Sequence, residues 1–404
     1  MRDATAILPK LKITGQYWLF IALICMSVMG SAEVKASATF TVSGVSVDVT
    51  AANAVQARDR AYVQARAQAF SKLGRRLLSP EQFEQFSVPD DQVVSSMIKD
   101  FEVLEEQLSS QRYVGRFLFR FEEERARDYF SSLGFSFSDI SAQALLILPY
   151  LSIEDAQGRL VRDVELLGLQ NIWLQAWQAQ EENLAGLVPL LTPAGDSGDL
   201  ADFPVSDPFA YDPQGFDNAA QRYGVKDVLV ALLRFQRPGA PSNWTSDGVP
   251  VGPASAELYR QTETGLLLVK SFALGRVSLT AEALEAGVQQ INEFLQKDWK
   301  AQTVLDAAAQ NATIEVSLFM SDISVLVEAR ARLDRVEALT GYDLLSLSPG
   351  QAVLRLDFRG RFDRLALSME QHGLRLERPE VAAGDQAGVM RELGLARRPV
   401  LTLQ

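Results

Sequence analysis

The chain has 404 residues, 47% of them hydrophobic, with 39 Lys+Arg against 51 Asp+Glu and a net charge of −12. The apolar content is that of a globular chain and excludes a disordered one. The length asks for two or three domains rather than one core, and the acidic balance speaks against nucleic-acid binding and against attraction to anionic lipid.

Residues 1–32 read as a secretory signal peptide. Arg2, Lys10 and Lys12 make a basic start, residues 18–29 are apolar but for Ser27, and Gly30, Ser31 and Ala32 are the small residues at the exit. Cleavage is expected after Ala32, with Ala36 and Ala38 as alternatives. The apolar run is shorter than the roughly 20 residues that a spanning helix needs. The other reading is an uncleaved anchor that leaves the body on the periplasmic side of the inner membrane. Cys25, the one cysteine, lies inside the run and follows Leu23 and Ile24. A lipoprotein would need small residues there. Cleavage therefore leaves a chain with no thiol and no disulfide, and a net charge near −14.

Three modules follow, so the fold class is α/β and α+β. In the first, residues 39–137, the alternation of Phe40, Val42, Val45, Val47 and Val49 with polar residues predicts a strand. Asn53 caps a long helix that runs to about Leu78 and buries Val63, Ala67, Phe70, Leu73 and Leu77. Residues 101–123 read as a hairpin with a turn near residues 109–111, and residues 125–133 as a helix stopped by Gly134.

In the second module, residues 144–310, the apolar runs 144–150, 187–191 and 228–233 predict strands buried on both faces. Helices are expected at 172–180 and 217–223, a further strand at 266–274 and a long helix at 281–309. Strands alternating with helices suggest a mixed, mostly parallel sheet that is covered on both sides. The Pro- and Gly-rich stretch 237–254 interrupts this pattern and reads as an extended hairpin loop with Trp244 at its middle. An aromatic residue on a loop tip is a candidate contact residue; folding back onto the body is the equal alternative.

The third module, residues 313–378, is expected to contain a strand at 314–319, a helix at 322–339, a hairpin at 343–358, a helix at 361–372 and a strand at 374–377. That is the βαββαβ order of a ferredoxin-like domain. Residues 379–404 form a tail, in which 399–403 are expected to pair as an edge strand.

Few chemical constellations remain. His372 is the one histidine and stands before Gly373, where helix geometry favours a cation and a left-handed cap. One histidine and no mature cysteine exclude the usual zinc sites and Cys–His pairs. No Gly-x-Ser-x-Gly turn, Walker loop or Gly-x-Gly-x-x-Gly occurs. Asp196, Asp199 and Asp202 do not have the alternate spacing of an EF-hand loop and read as the capped start of a short helix, with a calcium site or a carboxylate-pair hydrolase as alternatives. The run from Glu122 to Arg127 reads as a solvated helix start. Arg58, Arg60, Arg66, Lys72, Arg75 and Arg76 read as a solvated face, with contact to anionic partners as the alternative. Trp173 and Trp177, one helical turn apart, read as core anchors. No catalytic, cofactor-binding or metal-binding residue is assigned.

Several segments resemble a family. These are residues 40–48 before the Ala/Arg-rich helix, Leu146 to Pro149, Trp173 to Trp177, Gly186 to Leu190 with Gly195 and Asp196, Arg222 to Val230, and Leu345 to Ser348. In this order they resemble exported proteobacterial proteins of domain-of-unknown-function family 2066, over nearly the whole mature chain. The first two modules are distantly similar in element order to a periplasmic flagellar assembly protein and to the N-terminal domain of the Tol–Pal translocation protein. The resemblance implies envelope assembly through protein contacts and carries no catalytic residues. The expectation is a periplasmic, non-enzymatic binding or scaffold protein that meets envelope proteins through sheet edges or the 237–254 loop, with no nucleic acid and no cofactor. The alternatives are a hydrolase of envelope glycan with two carboxylates roughly 5–9.5 Å apart, or a scaffold tethered by its uncleaved signal.

Overall fold

The computed structural model describes residues 38–180, 184, 186–210, 212–237, 249–305, 309–378 and 398–404. The signal segment with Cys25, the cleavage positions Ala32 and Ala36, and Trp244 lie outside the described residues. Ala38 is the first residue inside them.

Each module is built on one sheet. In the first, β1 (Thr41–Thr50), β2 (Ile98–Leu108) and β3 (Arg112–Phe121) pair antiparallel in the order β1-β3-β2. The helix α1 (Ala54–Leu77) packs on β1 and β3. Asn53 caps it, its side chain accepting from the Gln56 amide at 2.9 Å. The buried stripe is the expected one at Phe70, Leu73 and Leu77, which are fully buried, and differs before them. Ala57, Ala61, Ala65 and Ala69 are fully buried, while Val63 is exposed and Ala67 only half-buried. Alanines at steps of four let the helix backbone lie close to the sheet, and the larger Val63 falls to its flank. Phe70 stacks on Phe130 of α4 (Glu123–Ser132), with centroids 5.5 Å apart. Burying a phenylalanine of this kind is worth about 1.5–3 kcal/mol. Two short helices between α1 and β2, α2 (Pro80–Phe83) and α3 (Asp91–Met97), were not foreseen. They are too short to show a period.

The second sheet has the order β5-β4-β7-β8-β9, and β6 pairs with the start of β4 on the same side as β5. Its strands are β4 (Leu145–Glu154), β5 (Leu160–Val164), β6 (Leu190–Leu191), β7 (Asp227–Gln236), β8 (Val251–Thr262) and β9 (Gly265–Ser278). The buried runs in β4 and β7 are as expected. The sheet is mixed, but parallel pairing is confined to β4–β7 and β4–β6. β8 runs antiparallel to β7 and β9 to β8. One face is covered by α5 (Ile172–Gln180) and α8 (Ala281–Thr303) and the other by α7 (Pro213–Tyr223); α6 (Ser197–Asp202) packs on α7. Trp173 and Trp177 of α5 are fully buried, their rings edge-to-face at 5.8 Å. The Trp173 indole N–H donates to the Ala231 carbonyl at 2.8 Å, so both are the core anchors that their spacing suggested. The run 187–191 contributes only the two residues of β6.

The third sheet has the order β11-β12-β10-β14-β13. The elements are β10 (Asn311–Phe319), α9 (Ile323–Leu333), β11 (Leu339–Ser348), β12 (Gln351–Arg359), α10 (Phe362–Glu370), β13 (Leu374–Glu377) and β14 (Val400–Leu403). The ferredoxin-like order is present with one correction. The tail strand β14 is not an edge: it pairs parallel to β10 and antiparallel to β13, and its Leu401 is fully buried. A strand of four residues carries too little pattern to reveal its place.

Residues 38–404 form one compact unit. The seam runs along residues 137–143, which the sequence showed only as a gap between modules. Phe137 exchanges backbone hydrogen bonds with Leu305, and the Ser138 amide donates to the Leu77 carbonyl at 3.0 Å. The Gln143 amide and side chain meet Gln371 at 2.8 and 2.9 Å. Trp299 of α8 packs against the cores of all three modules, and its indole N–H donates to the Ile140 carbonyl at 2.7 Å. The long helix, expected either to cover the second sheet or to lead to the next module, does both.

Candidate interaction surfaces

Each sheet ends in a long open edge. β2 closes the first sheet, and ten of its eleven residues are exposed. Phe101, Val103, Leu104 and Leu108 are among them, with Phe101 46% exposed although it touches Tyr62 and Phe119 at 5.7 Å. β9 closes the second sheet and exposes Leu267, Leu268 and Val269. β11 closes the third and exposes Leu344, Leu345 and Leu347. The opposite edge strands are shorter or better buried: β13 has four residues, of which Leu374 and Leu376 are buried, and β1 buries Val45 and Val47.

An open edge presents unpaired backbone donors and acceptors to any extended chain. Ten to fourteen residues at about 3.3 Å each give edges of roughly 30–45 Å. All three carry bulges: β2 at 98–100 and 103–105, β9 opposite 258–259, and β11 at 339–341 and 344–346. Bulges limit uncontrolled pairing. Acidic side chains on the outer face of β2 are tied to β3, Arg120 reaching Asp100 and Glu102 at 2.6 Å each and Arg116 reaching Glu105 at 3.3 Å.

The groups with chemical potential are placed otherwise. Asp196 caps α6, accepting from the Asp199 amide at 2.9 Å. Asp199 is fully buried; it accepts from Gly195, from the Tyr223 hydroxyl and from Arg222, which also reaches Asp202. Burial pushes the Tyr223 phenol up. The three aspartates thus form a cap and an ion-pair network that joins α6 to α7, and two segments of the family resemblance, Gly195–Asp196 and Arg222 onward, meet here.

Glu154 and Glu257 share Arg234, at 3.1 and 2.9 Å. Burial opposes the Arg234 charge, but the hydrogen bonds to both glutamates outweigh it and hold its pKa above the usual value. Asp139 is buried between Arg127 of α4, at 2.6 Å, and Arg364 of α10. Arg364 also donates to the Thr303 and Arg359 carbonyls. These residues border a small polar cavity of about 30 Å³ with Glu124, Glu337 and Arg359 on its walls. Arg127 is therefore a buried member of this junction and not part of a solvated helix start, a role that Glu122, Glu124 and Arg125 do fill.

His372 lies two residues past the end of α10, with Nε2 3.0 Å from Glu337, and Gly373 after it takes φ +69°. Of the basic residues on α1, Arg58 and Arg60 are exposed. Arg66 pairs with Asp91, Lys72 donates to the Gly44 carbonyl, and Arg76 donates to the carbonyls of Ala38, Thr39 and Thr41. The solvated-face reading fails for Arg76, because its position at the end of α1 turns it toward the start of β1. Among the described residues no group of His, Cys, Asp and Glu is arranged to hold a metal ion, and no helix is long and apolar enough to cross a membrane.

No family model matches the chain, and no curated protein matches it.

Proposed function

We propose that the protein is exported to the periplasm and acts there as a non-enzymatic binding or scaffold protein that joins envelope proteins by pairing with its open sheet edges. The observation that carries this reading is the set of three long edges, β2, β9 and β11, each exposing large apolar side chains. Strand addition takes its affinity from main-chain hydrogen bonds and its specificity from the alternate side chains. The buried carboxylates support the same reading. Asp139, Glu154 and Asp199 are each taken up by an arginine, which leaves them poorly suited to act as a general acid and base. Export rests on residues 1–32, and the resemblance to family 2066 agrees with an envelope location.

The test is photo-crosslinking in intact cells from Leu104, Val269 and Leu345, with Glu293 on α8 as the control position. Adducts with envelope proteins at the edges and none at the control are expected. Edge positions that give no more adduct than Glu293 would remove the proposal. Sequencing the N-terminus of the protein from the periplasmic fraction tests export: a start at residue 33, 37 or 39 means cleavage, and a start at Met1 means a tethered form.

A further inference from the structure

A second cavity, of about 200 Å³, opens between the end of α1 and the last turns of α8. That is below the range of sites for drug-sized molecules, so it suits only a small ligand. Leu77, Pro80, Phe137 and Val304 line it, with Ser136 and Lys300 as polar members. The charges around it do not balance. Lys300 donates to the Arg75 and Leu78 carbonyls at 2.8 Å, which uses two of its three N–H bonds. Arg76 is spent on three carbonyls, and its Nε is buried without a partner. Arg75 lies over the Phe83 ring at 4.5 Å. None of the three cations meets a carboxylate among the described residues. Lys297 at the rim is already paired with Glu81 at 3.1 Å.

The C-terminal carbonyls of a helix carry about half a negative charge. That caps α1 but does not neutralise three cations. Arg75 is exposed, whereas Arg76 and Lys300 are partly withdrawn from water, and burying a cation without a counter-charge is costly. Burial and the two neighbouring arginines bring Lys300 down to about 8, the direction expected of a cation lacking its anion. The Ser136 hydroxyl, on the same wall, has no hydrogen-bond partner among the described residues.

We propose that this cavity binds a small amphipathic monocarboxylate, its acid group on Lys300 and Ser136 and its apolar body against Leu77, Pro80, Phe137 and Val304. A carboxylate fits better than a phosphate. An ammonium beside a hydroxyl offers point donors suited to one negative charge. An apolar body fits the remaining walls.

The test is calorimetric titration of the full chain with decanoate, decanol, decylamine and inorganic phosphate. Decanoate should bind saturably at one site. Decanol should bind at least tenfold more weakly, and decylamine and phosphate should give no saturable heat. Lys300→Met should weaken decanoate at least tenfold with its urea midpoint retained, and Ser136→Ala should weaken it severalfold. The proposal is overturned if decanoate shows no saturable binding, if decylamine or phosphate binds as tightly, or if both variants bind decanoate as the wild type does. Should Lys300→Met fail to fold, the ligand series on the wild type and Ser136→Ala still decide the matter.

Discussion

The junction around Asp139 and the outer face of the β2–β3 hairpin are both held by arginine–carboxylate pairs, and they differ in access to water. At the junction the side chains of Arg127, Asp139 and Arg364 are 10%, 2% and 2% exposed. On the hairpin Arg120 is 29% exposed and its partners Asp100 and Glu102 about half. A buried pair is costly to form and costly to break, because the survivor is left charged without water. An exposed pair is weak, and salt screens it. The first arrangement suits a fixed seam between modules. The second suits a strand whose surface must stay soluble while its edge stays open.

The sharpest way to break the comparison is at Asp139. Asp139→Asn keeps the shape, leaves Arg364 without its carboxylate and Arg127 with Glu123 alone, and should cost about 3–5 kcal/mol. Urea unfolding should show a lower midpoint at an unchanged slope. Replacing all three residues by apolar ones of similar size should recover most of that loss, since the desolvation cost goes with the charges. A single variant as stable as the wild type would mean that the seam is wetter than its burial suggests. Next comes Thr303→Val. The Thr303 hydroxyl bonds with the buried Ser138 hydroxyl and donates to the Trp299 carbonyl at 2.8 Å. Valine keeps the volume and orphans Ser138, for about 1–3 kcal/mol in the same measurement.

The two regions also differ in how far the sequence announces them. The alternation in β1, the long helix after Asn53 and the hairpin around residues 109–111 are periodic patterns over ten residues or more, and they were legible. So were the apolar runs of β4 and β7, and Trp173 with Trp177. The junction was not. Arg127 lies 12 residues from Asp139, and Arg364 lies 225 residues from it. In the sequence Arg127 closes a run of charges that looks solvated. Nothing local marks it as buried; only the closure of three modules around residues 137–143 does so. The open edges fall between these extremes. Residues 101–108 could be read as a strand, but whether a strand is central or terminal depends on pairing that the sequence does not carry. The position of β14 was missed for the same reason. Asp196 as a helix cap was legible because capping is local, while its link to Arg222 was not.

On the hairpin, Arg120→Met should lower the urea midpoint only slightly, and the difference from wild type should vanish at high salt. Edge crosslinking from Leu104 should persist in that variant, because the proposed contact uses the strand's free backbone and apolar side chains. A midpoint drop as large as that of Asp139→Asn would place this pair with the junction and would end the contrast.

The smallest effect concerns acid. The Arg66 guanidinium grips both oxygens of Asp91, at 2.6 and 2.7 Å, and holds its carboxyl below the usual carboxylate range. A group whose folded pKa lies below its unfolded value contributes stability that is fully present above the unfolded value, near 3.9, and is lost as pH falls through the folded one. Wild type should therefore exceed Arg66→Met by a constant margin from pH 7 to about 5, and the margin should close below about pH 4. With Asp91 38% exposed, that margin should be well under about 1 kcal/mol. Urea midpoints taken across this range check the sign. A margin that widened on acidification would mean that Arg66 stabilises the fold by packing along α1 and α3 and not by charge.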